Sequence, residues 1–286
     1  MKIAIASGKG GTGKTLISTN LFHVISELGI PVTLIDCDAE EPNDRVFISG
    51  TVVESIPITQ RIPSINTEKC TFCGRCSEYC NYNAIVFLRP TRFIKVVEEL
   101  CHDCGACWVA CEFGAIGEKE KVLGEVQHFK VAKNSWLIEA CTRIGVYTPV
   151  PVVKRAIAEA NGEGVTLLDA PPGTSCPFVA TVESADYVIL VTEPTPFGLN
   201  DLKLSVEVLE MLGKPFGVII NRSGLGDASV LNYIKGKGIE LLMEIPFSKQ
   251  IAECYSKGEL IVERIPDYRQ AFSGLLDRIE EIQPHR

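Results

Sequence analysis

Short apolar runs separated by amphipathic stretches set the first expectations for this chain. Lys2 to Ala6 is a β-branched run that stops at Ser7-Gly8, which predicts a buried strand. Leu16, Ile17, Leu21, Val24, Ile25 and Leu28 then recur at helical spacing, and Gly29 ends the stretch, so a helix is expected from about Lys14 to Leu28. Pro31 to Ile35 predicts a second buried strand, closed by Asp36-Cys37-Asp38. After Pro149 the alternation returns, with strands expected at 165–169, 187–191, 216–220 and 239–245. Helices are expected at 150–160, 200–212, 228–235 and 267–282. Strands alternating with helices imply an α/β fold: a mostly parallel sheet covered by helices on both faces.

The texture changes between about Ile62 and Gly124. Long periodic helices vanish, cysteines dominate, and an internal repeat appears at an offset of 31 residues. Cys70, Cys73, Cys76 and Cys80 map onto Cys101, Cys104, Cys107 and Cys111, and Ala84-Ile85 maps onto Ala115-Ile116. Such a repeat marks a duplicated supersecondary unit. A hairpin is expected from Val126 to Cys141. The chain therefore divides into a first part of an α/β domain (1–61), a small α+β insertion (62–124) and the rest of the α/β domain (125–286).

At 286 residues the chain can bury one large core and a small satellite. Its net charge of −8 argues against nonspecific nucleic-acid binding, which needs a basic face. Arg89, Arg92 and Lys95 read as local, solvated basic spots. No apolar run is long enough to span a bilayer, and the opening residues are too short and Gly-rich for a signal peptide. A cytoplasmic protein is expected, with neither nucleic acid nor membrane as partner. Twelve cysteines in a reducing compartment point to metal rather than to disulfides.

Gly8-Lys9-Gly10-Gly11-Thr12-Gly13-Lys14-Thr15 satisfies the phosphate-binding pattern G-x-x-x-x-G-K-[ST], with a strand expected before it and a helix after. Its N–H groups would cradle phosphate oxygens, Lys14 would neutralise the β- and γ-phosphates, and Thr15 would ligate Mg²⁺.

Lys9, a second lysine early in the loop, is the mark of the deviant Walker A ATPases. With it the chain resembles the MinD/ParA/Mrp group, the CbiA-like nucleotide-binding domains, over about residues 1–45 and 160–262. The resemblance implies ATP or ADP with Mg²⁺ as ligands and a nucleotide-sandwich homodimer, in which Lys9 reaches the partner's nucleotide. Leu34-Ile35-Asp36-Cys37-Asp38 resembles switch I, which implies that Asp38 orients the attacking water and that Asp36 supports Mg²⁺ or the loop. Leu167-Leu168-Asp169-Ala170-Pro171-Pro172-Gly173 resembles the Walker B and switch II segment, which gives Asp169 to the Mg²⁺ shell. Asn221 resembles the strand-end Asn that binds adenine, and Pro246-Phe247 the loop that lines it. Lys9, Lys14 and Asp38 are thus the expected catalytic residues.

The cysteine block resembles bacterial two-cluster ferredoxins, in which the fourth cysteine of each run ligates the other cluster. That resemblance gives one [4Fe–4S] cluster Cys70, Cys73, Cys76 and Cys111, and the other Cys101, Cys104, Cys107 and Cys80. Each oxidised cluster with four thiolates adds about −2, bringing the loaded chain to about −12. Structural zinc, which pairs two C-x2-C knuckles, fits the three-plus-one spacing poorly. The Pro that usually follows the fourth cysteine is Asn81 in one run and Glu112 in the other; a carboxylate there should lower a cluster's potential. Of the remaining cysteines, Cys37 and Cys176 lie in the switch segments, and Cys37, Cys141, Cys176 and Cys254 read foremost as free thiols.

Together these features resemble MinD-superfamily ATPases with an inserted ferredoxin domain. The leading expectation is ATP-gated electron delivery through two clusters to a redox partner. The alternatives are an iron–sulfur or metal-cluster carrier of the Mrp type, handing metal to an accepting protein, and spatial organisation of the MinD/ParA type.

Overall fold

The computed structural model describes residues 1–160 and 162–282. Eleven strands and ten helices follow one another along them. In chain order they are β1 (Lys2–Ala6), α1 (Lys14–Glu27), β2 (Val32–Asp36), β3 (Thr51–Ile65), α2 (Arg75–Glu78), β4 (Ile85–Leu88), β5 (Phe93–Val96), α3 (Ala106–Ala110), β6 (Ile116–Ala132) and β7 (Ser135–Thr142). Then come α4 (Val150–Ala158), β8 (Val165–Asp169), α5 (Cys176–Glu183), β9 (Tyr187–Thr192), α6 (Pro196–Leu212), β10 (Phe216–Ser223), α7 (Ser229–Lys237), β11 (Glu240–Pro246), α8 (Lys249–Ser256), α9 (Ile261–Arg264) and α10 (Pro266–Ile282).

The nine-stranded sheet runs β11-β10-β9-β1-β8-β2-β7-β6-β3. From β11 to β7 every neighbouring pair is parallel. Every residue of β2, β8 and β9 is buried. A parallel sheet covered on both faces demands such continuous apolar runs. The register sets the chemistry: β8 lies between β1 and β2, with Asp169 opposite Ile5 on one side and Asp36 on the other. Both acids therefore stand at the carboxyl ends of central strands, where open α/β sheets bind ligands, and the Gly-rich loop leaves β1 at the same end.

Helix α1 buries Leu16, Ile17, Leu21, Val24 and Ile25, and α10 buries Phe272, Leu275, Leu276 and Ile279, all in one core. The amphipathic face of the C-terminal helix is thereby used for packing.

The chain separates into two compact units. The first is Met1–Ile56, Glu125–Cys141 and Val150–Arg286; the second is Pro57–Gly124 with Thr142–Pro149. Strands β3 and β6 each run from one unit into the other. The second unit holds an antiparallel β4–β5 hairpin, with Ile85 opposite Val96 and Leu88 opposite Phe93. Cys76, Ile85 and Cys107 form its small core, with Ile65, Ile94, Val96, Trp108 and Ile116 packed around them.

Several expectations shift. The hairpin placed at 126–141 is longer: β6 begins at Ile116, and Lys133-Asn134 links it to β7, which joins the sheet beside β2. Strand β3 and helices α5 and α8 have no counterpart in the sequence reading, and α6 starts at Pro196 rather than at Asn200.

Candidate functional site

The Gly-rich loop meets the end of β10 through one contact that only glycine allows. Asn221 Nδ2 donates to the Thr12 carbonyl at 2.7 Å. A Cβ on Gly13, whose φ is 107°, would lie 2.3 Å from that nitrogen. The loop, Asn221 and the Pro246-Phe247 segment border one cavity of about 400 Å³. Gly10, Gly11, Gly13, Lys14 and Thr15 of the loop line it together with Asp38, Asn43 and Asp169, and with Arg222, Ile251, Ala252 and Tyr255. A pocket of this size suits a nucleotide. Gly8, Lys9, Thr12 and Asp36 do not line it. Gly8 sits where a Cβ would lie 2.5 Å from the Asp201 carbonyl oxygen, so it serves close packing against α6.

Asp36 holds the loop together. Its Oδ1 accepts the Asp38 N–H at 3.1 Å, and its Oδ2 accepts the N–H groups of Asn43 at 2.8 Å and Asp44 at 3.0 Å. Of the two roles the resemblance implied for Asp36, the geometry supplies the loop-supporting one. Thr15 Oγ1 lies 2.8 Å from Asp169 Oδ2 and 3.0 Å from Asn43 Oδ1. Asp169 Oδ1 is buried and has no hydrogen-bond partner among the described residues.

This floor is short of positive charge. Burial first, and the charge of Asp169 second, push Asp36 up to about 8. Burial also raises Asp38 to about 6, against the opposing pull of Lys14. Asp44 and Asp169 are raised as well, again chiefly by burial. Buried carboxyls around an unpartnered oxygen and a threonine hydroxyl fit a hard divalent cation, which prefers oxygen ligands and would stabilise the ionised acids. Mg²⁺ therefore suits Thr15 and Asp169.

Lys9 is committed within its own chain: its ammonium is ion-paired with Glu193, whose other oxygen lies 2.9 Å from Arg222 Nη1. Glu193, Asn43, Asp44, Arg222 and Tyr255 escaped the sequence reading. Glu193 follows β9 directly, and an acid at a strand end was the available signal.

In the second unit the eight repeated cysteines sort into two sets. One cavity is lined by Cys70, Cys73, Cys76 and Cys111, and the other by Cys80, Cys101, Cys104 and Cys107. Each draws three thiols from one run and one from the other. The copies share local detail: Ala84 N–H points at Cys80 Sγ (3.2 Å) and Ala115 N–H at Cys111 Sγ (3.4 Å). Four soft thiols around a cavity, with N–H groups directed at sulfur, are a donor set that fits an iron–sulfur cluster. Glu112 is ion-paired with Arg75, which offsets the carboxylate expected to lower a cluster's potential. Cys37 is buried with its Sγ 3.6 Å from the Ile35 carbonyl oxygen, whereas Cys176 is exposed.

The profile of the CobQ/CobB/MinD/ParA nucleotide binding domain family matches residues 3–261. The chain belongs to this family. An uncharacterized protein of Methanocaldococcus jannaschii is 31% identical, over 99% of this chain and 96% of its own length. A protein of the same organism named as an iron–sulfur cluster carrier is 24% identical, over 98% of this chain and 84% of its own length. Among solved structures, the septum site-determining protein MinD of Pyrococcus horikoshii, complexed with Mg-ADP, superposes with a TM-score of 0.60. It is 22% identical, with 99% of this chain and 97% of that chain covered, so the family shares this fold. Among the described residues, no helix is long and apolar enough to cross a membrane.

Proposed function

We propose that the protein binds and hydrolyses MgATP and couples its nucleotide state to iron–sulfur chemistry at two thiol-lined cavities. The observation that carries the proposal is the partition of eight cysteines into two crossed quartets, in a chain whose other unit has the nucleotide pocket of its family. Backbone N–H groups of the Gly-rich loop and Lys14 would hold the phosphates. Thr15 and Asp169 would hold Mg²⁺, and Asp38 would orient the attacking water. In a nucleotide-sandwich homodimer Lys9 would leave Glu193 for the partner's phosphates. A [4Fe–4S] cluster, when bound, supplies one-electron chemistry; the residues to hold one are Cys70, Cys73, Cys76 and Cys111, and those to hold the other are Cys101, Cys104, Cys107 and Cys80.

The relatives named as iron–sulfur cluster carriers favour cluster delivery to an accepting protein over the electron delivery that the sequence put first. ATP-dependent cluster transfer is therefore the first reading. A specific observation supports electron transfer through retained clusters as the second: each cavity is closed by a thiol from the opposite run, so release would require both runs to open.

The readings separate in one experiment. The anaerobically purified protein is mixed with apo-aconitase, with and without MgATP, and iron is followed into the acceptor. A carrier activates aconitase in a nucleotide-dependent way; a retained-cluster protein keeps its iron. Absence of iron and sulfide, even after reconstitution, would sink both.

A further inference from the structure

The two cysteine runs are copies, and where they differ they differ in charge. The 31-residue offset carries Phe72 onto Asp103 and Gly74 onto Gly105. Both pairs keep left-handed backbone, with φ of 57° and 52° for the first and 85° and 77° for the second. Their side chains do opposite things. Asp103 Oδ1 lies 3.2 Å from Arg61 Nε, and Glu118 lies 3.7 Å from Arg61 Nη1, so the arginine beside the second cavity is neutralised.

Phe72 neutralises nothing. Arg92 lies over its ring, 4.9 Å from the centroid, and Arg89 Nη2 donates to the Cys73 carbonyl at 3.4 Å. Among the described residues neither Arg89 nor Arg92 has a carboxylate within ion-pair distance, whereas neighbouring Arg75 is paired with Glu112. Both arginines sit on the β4–β5 turn, closed by the Arg92 N–H donating to the Arg89 carbonyl at 3.2 Å. Leu88 and Phe93 face each other at the end of that ladder, and both are about half exposed. The tip thus presents two unpaired guanidinium groups and two apolar side chains. Its neighbour Cys73 is an exposed thiol of the first quartet. Aromatic and arginine side chains around an apolar centre are what protein interfaces are enriched in.

We infer that the β4–β5 tip is the docking surface for a small acidic one-electron carrier protein. Arg89 and Arg92 attract the carrier, and Leu88 and Phe93 seat it beside Cys73. The inference rests on the reading in which the cavities retain iron–sulfur clusters. The chain carries a net −8, so an acidic partner is repelled by most of its surface and the tip fixes the approach. The second cavity, with Arg61 neutralised, exerts no such pull.

The test is titration of the full-length, cluster-loaded protein with oxidised flavodoxin, followed by calorimetry at low and physiological ionic strength. The double variant Arg89→Glu/Arg92→Glu should weaken binding by about tenfold or more and flatten its salt dependence. Leu88→Ala/Phe93→Ala should weaken binding with the salt dependence kept. Lys133→Glu/Lys235→Glu makes the same charge change on exposed lysines elsewhere, and should stay within about twofold of the parent. No binding by the parent, equal loss in both charge-reversal variants, or equal affinity for random-sequence RNA overturns the inference. Iron and sulfide analysis of each variant keeps the two claims apart. Clusters present with tip-independent binding removes the docking surface alone; clusters that cannot be loaded remove the iron–sulfur reading.

Discussion

Lys9 and Glu193 are joined in an ion pair that links the Gly-rich loop to the end of β9. Glu193 is largely buried and also pairs with Arg222, so one carboxylate holds two cations. A lysine that is to serve a partner's nucleotide must first leave this pair. The cost of leaving opposes dimerisation. Glu193→Gln removes the anion, and ATP-dependent dimerisation should strengthen by about three- to tenfold, as a partly buried ion pair is worth on that order. Lys9→Ala should abolish the dimer while ADP still binds. Sedimentation with a non-hydrolysable ATP analogue reads both. A dimer affinity indifferent to Glu193→Gln would show that Lys9 does not travel.

If Asp38 orients the attacking water, its carboxyl ties ATP turnover to pH. Burial raises its carboxyl to about 6, partly countered by Lys14. Only the ionised form can orient and deprotonate water, so turnover should climb as pH rises through about 6 and level off above it. Asp38→Asn should lower turnover by about a hundredfold or more and leave a flat profile, with nucleotide affinity changed only a few-fold. A variant that keeps the rising limb would assign that limb to another group.

Stability should fall in the opposite pH direction. Asp36 is held up to about 8 by burial, so the fold favours its protonated form. With the folded-state value above the unfolded one, its contribution is complete below the ordinary carboxyl value of 3.8 and is lost as pH rises through about 8. Asp44 and Asp169, also raised by burial, add in the same sense. Urea midpoints of the metal-free protein should therefore drop between mildly acidic and alkaline pH, and added Mg²⁺ should recover part of the loss. Asp36→Asn should flatten the slope while lowering the acid-side midpoint, because an amide has one acceptor oxygen: its NH2 group must face either the Asp38 N–H or the Asn43 and Asp44 N–H groups, which then lose their acceptor. An unchanged slope would place the titration elsewhere.

What the sequence revealed follows from how each segment is buried. Val165–Asp169 and Tyr187–Thr192 are readable because strands covered on both faces are buried without interruption and so predominantly apolar. Thr51–Ile65 is not: most of its early residues are exposed, and it contains Pro57 and Pro63. It is the last strand in the sheet order, and an edge is where proline is tolerated. Helix α5 has no long apolar stripe to announce it, but it begins at Cys176-Pro177, and proline in a first helical turn starts a helix at little cost. The Gly-rich loop and the acids at strand ends declared themselves through local spacing. Glu193 also stands at a strand end, but no surrounding motif marks it, and its contact with Lys9 spans 184 residues. The cysteines were legible as a repeat; the charge difference between the copies needed Arg61, Arg89 and Arg92 placed in space.

The crossing of the cysteine runs can be tested by pairs of substitutions. Cys70 and Cys111 line one cavity though they come from different runs, whereas Cys70 and Cys80 share a run and line different cavities. If each cavity holds one four-iron cluster, Cys70→Ser/Cys111→Ser damages one site and spares the other, leaving about four iron atoms per chain. Cys70→Ser/Cys80→Ser damages both sites and should fall well below that. Uncrossed ligation predicts the reverse order, since Cys70 and Cys80 would then share a cluster. Iron and sulfide counts with low-temperature electron paramagnetic resonance of the reduced protein distinguish the outcomes. Retention of more iron by the Cys70→Ser/Cys80→Ser protein would overturn the crossed arrangement even if both variants stay folded.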